Sequence, residues 1–263
     1  MDRNDGGRET VLPVGARLGR YFVLARLGAG EVYAAYDPEL ERKVAVKVLR
    51  PRDGAASDEE QQAVLRQQAL SMARLSHENV VAVHDVGVAD GYVFLAMEFV
   101  KGVSLRVVTE GGARTERILS LYAAAGAGLA AAHQAGLAHG AFTADSVLVG
   151  VEGRVKVKGF GIPGGGRPAD PRDDQSAFAV ALRDALALRG SPARAAVWGA
   201  GAAVGEVLAR ATHPDPAARY PSMEALLEAL AAAVVRSQRR RRVGVAGALA
   251  VGLVAAAAVV ARR

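Results

Sequence analysis

The sequence predicts an α+β chain in two lobes: a strand-rich part with one inserted helix, then a mainly helical part, with an apolar helix beyond. Three observations predict it. Residues 19–100 hold short β-branched and aromatic runs interrupted at Gly28, Gly30 and Ala89-Asp90-Gly91. After Lys101-Gly102 the apolar residues recur at helical spacing over 116–135, 174–189, 197–212 and 221–235. Val243 to Ala261 is then a run of 19 residues without a charge or a polar side chain.

Taken in order, "MDRNDGGRETVLPVG" is polar and carries no apolar signal segment, so residues 1–18 are expected to be a disordered tail. "RYFVLARLGAG" and "EVYAAYD" are strands meeting at glycines, and "RKVAVKVLR" is a third with alternating character. Next comes a helix, "SDEEQQAVLRQQALSMARLS", with Ser57 or Asp58 as cap and acids in its first turn. "NVVAVHDVGVADGYVFLAMEFV" supplies two more strands, completing a five-stranded first lobe over 19–100. The second lobe, 101–235, has a hairpin near 147–158 among its helices.

Composition narrows the function classes. There is no cysteine, so disulfides, thiolate nucleophiles and cysteine–zinc sites are excluded together. His77, His84, His133, His139 and His213 show no ligand spacing, and no metal is expected. The net charge is +6 and the pI about 9.9. Residues 236–263, however, hold seven arginines and no acid, leaving residues 1–235 with 26 Lys and Arg against 27 Asp and Glu. A neutral body argues against a nucleic-acid partner.

The basic block at 236–242, including Arg239 to Arg242, and the pair Arg262-Arg263 flank the apolar run. As a helix the run is about 28 Å long, enough to span a bilayer. A buried Ala-rich core helix is the other fate for such a run, since 11 of its 19 residues are Ala or Gly. The arginines favour the transmembrane reading over 243–261. Their bias toward its N-terminal side makes the chain a single-pass protein of the inner (cytoplasmic) membrane with its body in the cytoplasm. Residues 236–261 would then meet membrane lipids. Gly244, Ala248, Gly252 and Ala256 form a small-residue face through which the helix could pair as a homodimer.

Five stretches carry a resemblance. "LGAG-EVYAAYD…VAVKVL", "LSHENVVAVHDVG…FLAMEFVKGVSL", "HGAFTADSVLV…GRVKVKGFG", "DPRDDQSAFAVALRDAL" and "HPDPAARYPSMEALL" occur in one order over residues 19–232. Together they resemble the protein kinase superfamily, in particular bacterial eukaryotic-like serine/threonine kinases. The resemblance implies a bilobal kinase-like fold with an adenine nucleotide between the lobes. Its upper wall would be Gly28, Gly30, Val32 and Ala45, its lower wall Leu148, and its gatekeeper and hinge Met97, Glu98 and Val100. Lys47 of "VAVK" would reach the phosphates.

Against that pattern the chemistry is missing. The family's H-R-D-x-K-x-x-x-N reads His139, Gly140, Ala141, Thr143 and Ser146, and its D-F-G reads Gly159-Phe160-Gly161. The base is thus replaced by Ala141 and the two metal-ligand positions by Ser146 and Gly159. The Gly-rich loop is short, the glutamate expected on the first helix falls at Gln68, and no A-P-E follows "IPGGGRPADPRD". Leu188 to Glu206 is also too short for the usual substrate-side helix. Apolar positions are retained: Met72, Val83, His139 and Phe160 match the column joining the lobes. Asp174 matches the anchor acid of the central helix and Arg219 its late-helix arginine. Glu31, Asp145 and Lys158 are read as solvated loop charges, and His139 as a buried structural residue.

The expectation is a pseudokinase acting by binding, with another protein as partner, an active kinase or its substrate, and ATP without magnesium as its cofactor if a nucleotide binds at all. Two other readings stay open: a weak or unconventional kinase using Lys47 and a displaced acid, and a relic without a selected role. Lys47 can serve a phosphate or the fold alone.

Overall fold

The computed structural model describes residues 12–28, 31–49, 58–160, 170–187 and 200–237. The elements are β1 (Arg17–Leu18), β2 (Tyr21–Arg26), β3 (Val32–Asp37), β4 (Arg42–Leu49), α1 (Asp58–Ala73), β5 (Val83–Ala89) and β6 (Tyr92–Glu98). After them come β7 (Gly102–Ser104), α2 (Leu105–Glu110), α3 (Thr115–Gln134), β8 (Val147–Gly150), β9 (Val155–Val157), α4 (Pro171–Ala187), α5 (Ala200–Ala211) and α6 (223–237).

The first lobe is one antiparallel sheet in the order β1-β2-β3-β4-β6-β5. Its strand residues alternate between two faces, and each face has its own core. Val44, Val46, Val48, Phe94 and Ala96 pack outward with Tyr21 and Tyr33. Ala45, Leu49, Leu95 and Met97 point the other way, onto α1 and the second lobe. The register sets Lys47 between Val32 and Leu95, and Ala45 between Ala34 and Met97. Lys47 therefore shares the face that looks into the cleft.

In the second lobe α3 is the buried axis: Ile118, Leu121, Tyr122, Ala125 and Leu129 lose essentially all contact with solvent. Tyr122 meets Phe178 of α4 edge-on at 5.6 Å and donates its hydroxyl to the Ala181 carbonyl at 2.8 Å. Gly128 permits a close approach between the lobes. A β-carbon there would lie 2.6 Å from the Asn79 carbonyl oxygen. Segment 79–81 is in turn laced to β9: Val157 N–H donates to Asn79 O (2.8 Å), and Val81 N–H to Val157 O (2.9 Å).

Several expectations change. The first-lobe sheet has six strands, because the two-residue β1 pairs with β2. Residues 12–18 accordingly do not behave as a polar tail: Gly15 N–H donates to Val23 O and Val23 N–H to Ala16 O. The second lobe gains β7, which pairs with β8, and the short α2 capped by Ser104. The last helix continues past the expected boundary at 235, through 237, where the described residues stop. No helix among the described residues is long and apolar enough to cross a membrane. The span 243–261 with its small-residue face, most of the basic segment, Gly30, the stretch from Gly161 to 169 and residues 188–199 lie outside the described residues.

Candidate functional site

The cleft is assembled from strands above and a loop below. Val32, Ala45 and Lys47 come from β3 and β4, Met97 and Glu98 from the end of β6, and Leu148 from β8. Met97 and Ala45 are buried, Val32, Val100 and Leu148 half-buried, as walls of a cleft would be. Gly28, at φ +73°, turns the chain out of β2 toward the Gly-rich stretch, a conformation that favours glycine. The Glu98 carboxylate faces away from the nucleotide position: it pairs with Lys156 of β9 at 2.8 Å and accepts from Ala82 N–H at 3.4 Å.

Below, one carboxylate shapes the loop. Asp174, 1 % exposed on α4, accepts from the backbone N–H of His139 (2.6 Å) and of Gly140 (2.8 Å) and lies 2.9 Å from His133 Nε2. Gly140 takes φ +78° to present its N–H there. His139 is buried as expected. Its Nε2 bonds the Lys158 carbonyl at 3.0 Å, and its ring meets Phe142 and Phe160 edge-on at 5.6 and 5.1 Å. Burial holds the His139 pKa below the ordinary histidine value. Met72, Val83 and Phe160 join the same apolar cluster. Arg219 packs against Asp173 at 3.3 Å and donates to Arg172 O at 2.7 Å, a replacement for the missing partner acid.

At the positions of the lost chemistry the structure shows what replaces it. Ala141 is exposed and offers only a methyl group. Ser146 is engaged locally: its Oγ accepts from Thr143 N–H (3.3 Å) and donates to Ala141 O (3.5 Å). Gly159, at φ +92°, has no side chain to offer.

Of the charges near the cleft, Asp145 and Lys158 are solvent-exposed, as expected, and Glu31 is half-buried. Asp145 is held by Arg106 at 2.5 Å, and that hydrogen bond depresses its pKa. Lys47 has its pKa lowered by burial and then by Lys158, with Glu31 opposing. Lys158 is likewise lowered by burial, with Asp145 opposing. Neither lysine forms an ion pair with a described carboxylate. Beneath the cleft a groove of about 520 Å³ opens between α2, α3 and α4, lined by Arg106, Tyr122, Phe142, Val180, Asp184 and Arg219.

A strand lobe hinged to a helical lobe, with a lysine above the cleft and an acid-anchored loop below, defines the two-lobed kinase architecture. The family "Protein tyrosine and serine/threonine kinase" matches residues 23–228. The chain belongs to this protein kinase family, of the bacterial serine/threonine type.

Among its relatives are the serine/threonine-protein kinase PknL of Mycobacterium tuberculosis and PrkC of Bacillus subtilis. PknL is 35 % identical over 54 % of this chain and 37 % of its own length. PrkC is 33 % identical over 57 % of this chain and 24 % of its own. The chain thus spans about a third of the length of the first of these relatives. The crystal structure of the Mycobacterium tuberculosis PknI kinase domain superposes with a TM-score of 0.69 at 27 % identity, covering 84 % of this chain and 99 % of that one.

The fold family implies a nucleotide carrying magnesium. Val32, Ala45 and Leu148 are apolar and buried or half-buried, the chemistry an adenine ring requires of its walls. The residues present do not fit the metal, which needs hard oxygen ligands in octahedral array. Gly159 and Ser146 supply no carboxylate, Asp145 is taken by Arg106, and no cluster of three or more His, Asp or Glu among the described residues could hold an ion.

Proposed function

We propose that this chain is a pseudokinase: a kinase-fold binding module, tethered to the cytoplasmic membrane through 243–261, that acts as a scaffold or allosteric partner. One observation carries the reading. The Asp174 clamp and the His139–Phe160 column that shape the catalytic loop are intact, while Ala141, Ser146 and Gly159 present no base and no metal ligand. Phosphoryl transfer depends almost entirely on positioning and charge neutralisation, so losing base and metals removes several powers of ten in rate.

The partner is another protein, an active kinase or its substrate, met at the membrane where 236–261 would contact lipid and could pair two copies. Asp145 is the nearest candidate for a displaced base, and its ion pair with Arg106 argues against the weak-kinase alternative. Incubating the purified chain in nanodiscs with radiolabelled ATP, magnesium and a generic protein substrate should give no transfer above background. Magnesium-dependent labelling that disappears in Lys47→Ala would overturn the reading.

A further inference from the structure

We infer that one end of the second lobe is a lipid-docking face, where Arg114 and Arg117 of α3, Arg154 of the β8–β9 turn and Arg236 of α6 rest on an anionic phospholipid surface. The inference rests on the proposed membrane tether and adds which part of the folded body meets the headgroups.

The helices α3 and α6 run in opposite senses. Gln134, at the end of α3, donates to Glu224 near the start of α6 at 2.6 Å. Further along, Leu227 packs on Gly126, where a β-carbon would come within 2.5 Å of its side chain. From Leu227 to the last described residue of α6 is about 15 Å of helix, and from Gly126 back to Thr115 about 16 Å. The last turn of α6 and the first turn of α3 therefore come level at one end of the lobe. The β8–β9 turn joins them there, since a β-carbon at Gly153 would lie 3.2 Å from the Arg117 guanidinium. Lys101 borders that turn, its carbonyl accepting from Val151 N–H at 3.0 Å.

This end is basic, and its cations are open to solvent. Lys101, Arg114, Arg117, Arg154 and Arg236 are all exposed. The acids among them are Glu116, also exposed, and Glu152, which pairs with Arg154 at 2.8 Å. Five cations against two acids make a positive face on a body that is otherwise close to neutral. Val151 and Val235 stand exposed beside the charges and offer apolar contact to a headgroup layer.

The length of chain beyond α6 selects the occupant. Five residues, Gln238 to Arg242, separate the described end of α6 from the proposed span at 243. Fully extended they reach about 17 Å, roughly two screening lengths at physiological salt. A lobe tethered that closely holds this end near the headgroups, and its charge is opposite to theirs.

The chain has no cysteine, so a single introduced thiol is a unique label site. Full chain in nanodiscs is labelled at Val151→Cys or, as a control on the first lobe, at Val88→Cys, and nitroxide-headgroup lipid is the quencher. Quenching at position 151 should exceed that at 88 at least threefold in anionic discs. It should fall to the control level in zwitterionic discs, in high salt, and when Arg114, Arg117 and Arg154 are all changed to Gln. The melting temperature of the triple variant checks its fold, and the triple change to Lys should keep the quenching. Equal quenching at the two positions, or quenching indifferent to lipid charge and to the triple change, would overturn the face. A label shielded from a water-soluble quencher but untouched by the lipid one would give the face to a protein, and overturn it too.

Alkaline carbonate extraction of the full chain from vesicles reports separately on the tether. If the chain is extracted, the tether fails and the face is judged by cosedimentation with anionic vesicles at low salt. Each guanidinium near such a surface strengthens binding about fivefold, so the triple Gln variant should bind at least tenfold more weakly. Unchanged binding there would overturn the face as well.

Discussion

The Asp174 carboxylate accepts from two backbone N–H groups and lies beside the His133 ring, with every one of these contacts under 3 Å. Removing it strands the buried His139 N–H and the partly buried Gly140 N–H, a loss larger than that of an ordinary hydrogen bond. Asp174→Ala should therefore lower the unfolding free energy by about 2–4 kcal/mol, read as a shifted urea midpoint at unchanged slope. A change below about 0.5 kcal/mol would mean that the clamp does not hold the loop.

His139 makes a second prediction at this scale. Its folded pKa lies below the ordinary value of 6.5, so the unfolded chain binds the proton more readily. The stability contributed by the neutral ring is complete above about pH 6.5 and is lost as pH falls through the folded value. The melting temperature should drop on acidification from pH 7.5 to 5.5, with His84, also lowered by burial, sharing in the loss. His139→Gln should flatten that slope while lowering the plateau, because the amide cannot take the charge but packs less well against Phe142 and Phe160.

Between elements, the lobes are joined behind the hinge by Glu98 and Lys156, 28 % and 13 % exposed, and by the strand-like bonds from 79–81 to β9. Lys156 also donates to Val80 O at 3.2 Å, so its loss frees a carbonyl as well as an acid. A double-mutant cycle of Glu98→Gln and Lys156→Met should return a coupling of about 1–2 kcal/mol, measured by denaturant unfolding. Zero coupling would show the pair to be a surface contact in effect. Gly128→Ala should cost about 1–3 kcal/mol, since the added carbon meets the Asn79 backbone and the two elements must part.

Much of this level could be read in the chain. The alternation in "RKVAVKVL" gave β4 and its two faces, and the apolar spacing from Ile118 to Leu129 gave α3. The two-residue β1 and six-residue α2 could not be read, being too short for any period to show. Nor could the pairing of Arg106 with Asp145, 39 residues apart.

At the scale of the whole molecule, the kinase architecture persists without its acids. Restoring the family's residues together, as Ala141→Asp, Ser146→Asn and Gly159→Asp, should give the chain a magnesium-dependent response to ATP. ATP would then raise the melting temperature more with the metal than without it. Transfer to a protein substrate should still be undetectable, because "IPGGGRPADPRD" leaves no room for the family's activation segment. If magnesium remains indifferent in that variant, the missing carboxylates are not what excludes it. The groove under the cleft is walled by arginines already neutralised, Arg106 by Asp145 and Arg219 by Asp173, which suits it to a partner surface of mixed polarity better than to a strongly charged peptide.

Gly140 and Gly159 both keep a positive φ, at +78° and +92°. Side chains branched at the β-carbon are poorly tolerated there, whereas glycine, asparagine and aspartate are the residues that visit such angles at least cost. The backbone at these two positions therefore limits which residues can stand there, whatever their chemistry. A survey of natural variants should find those three amino acids recurring at both places, and valine and isoleucine missing.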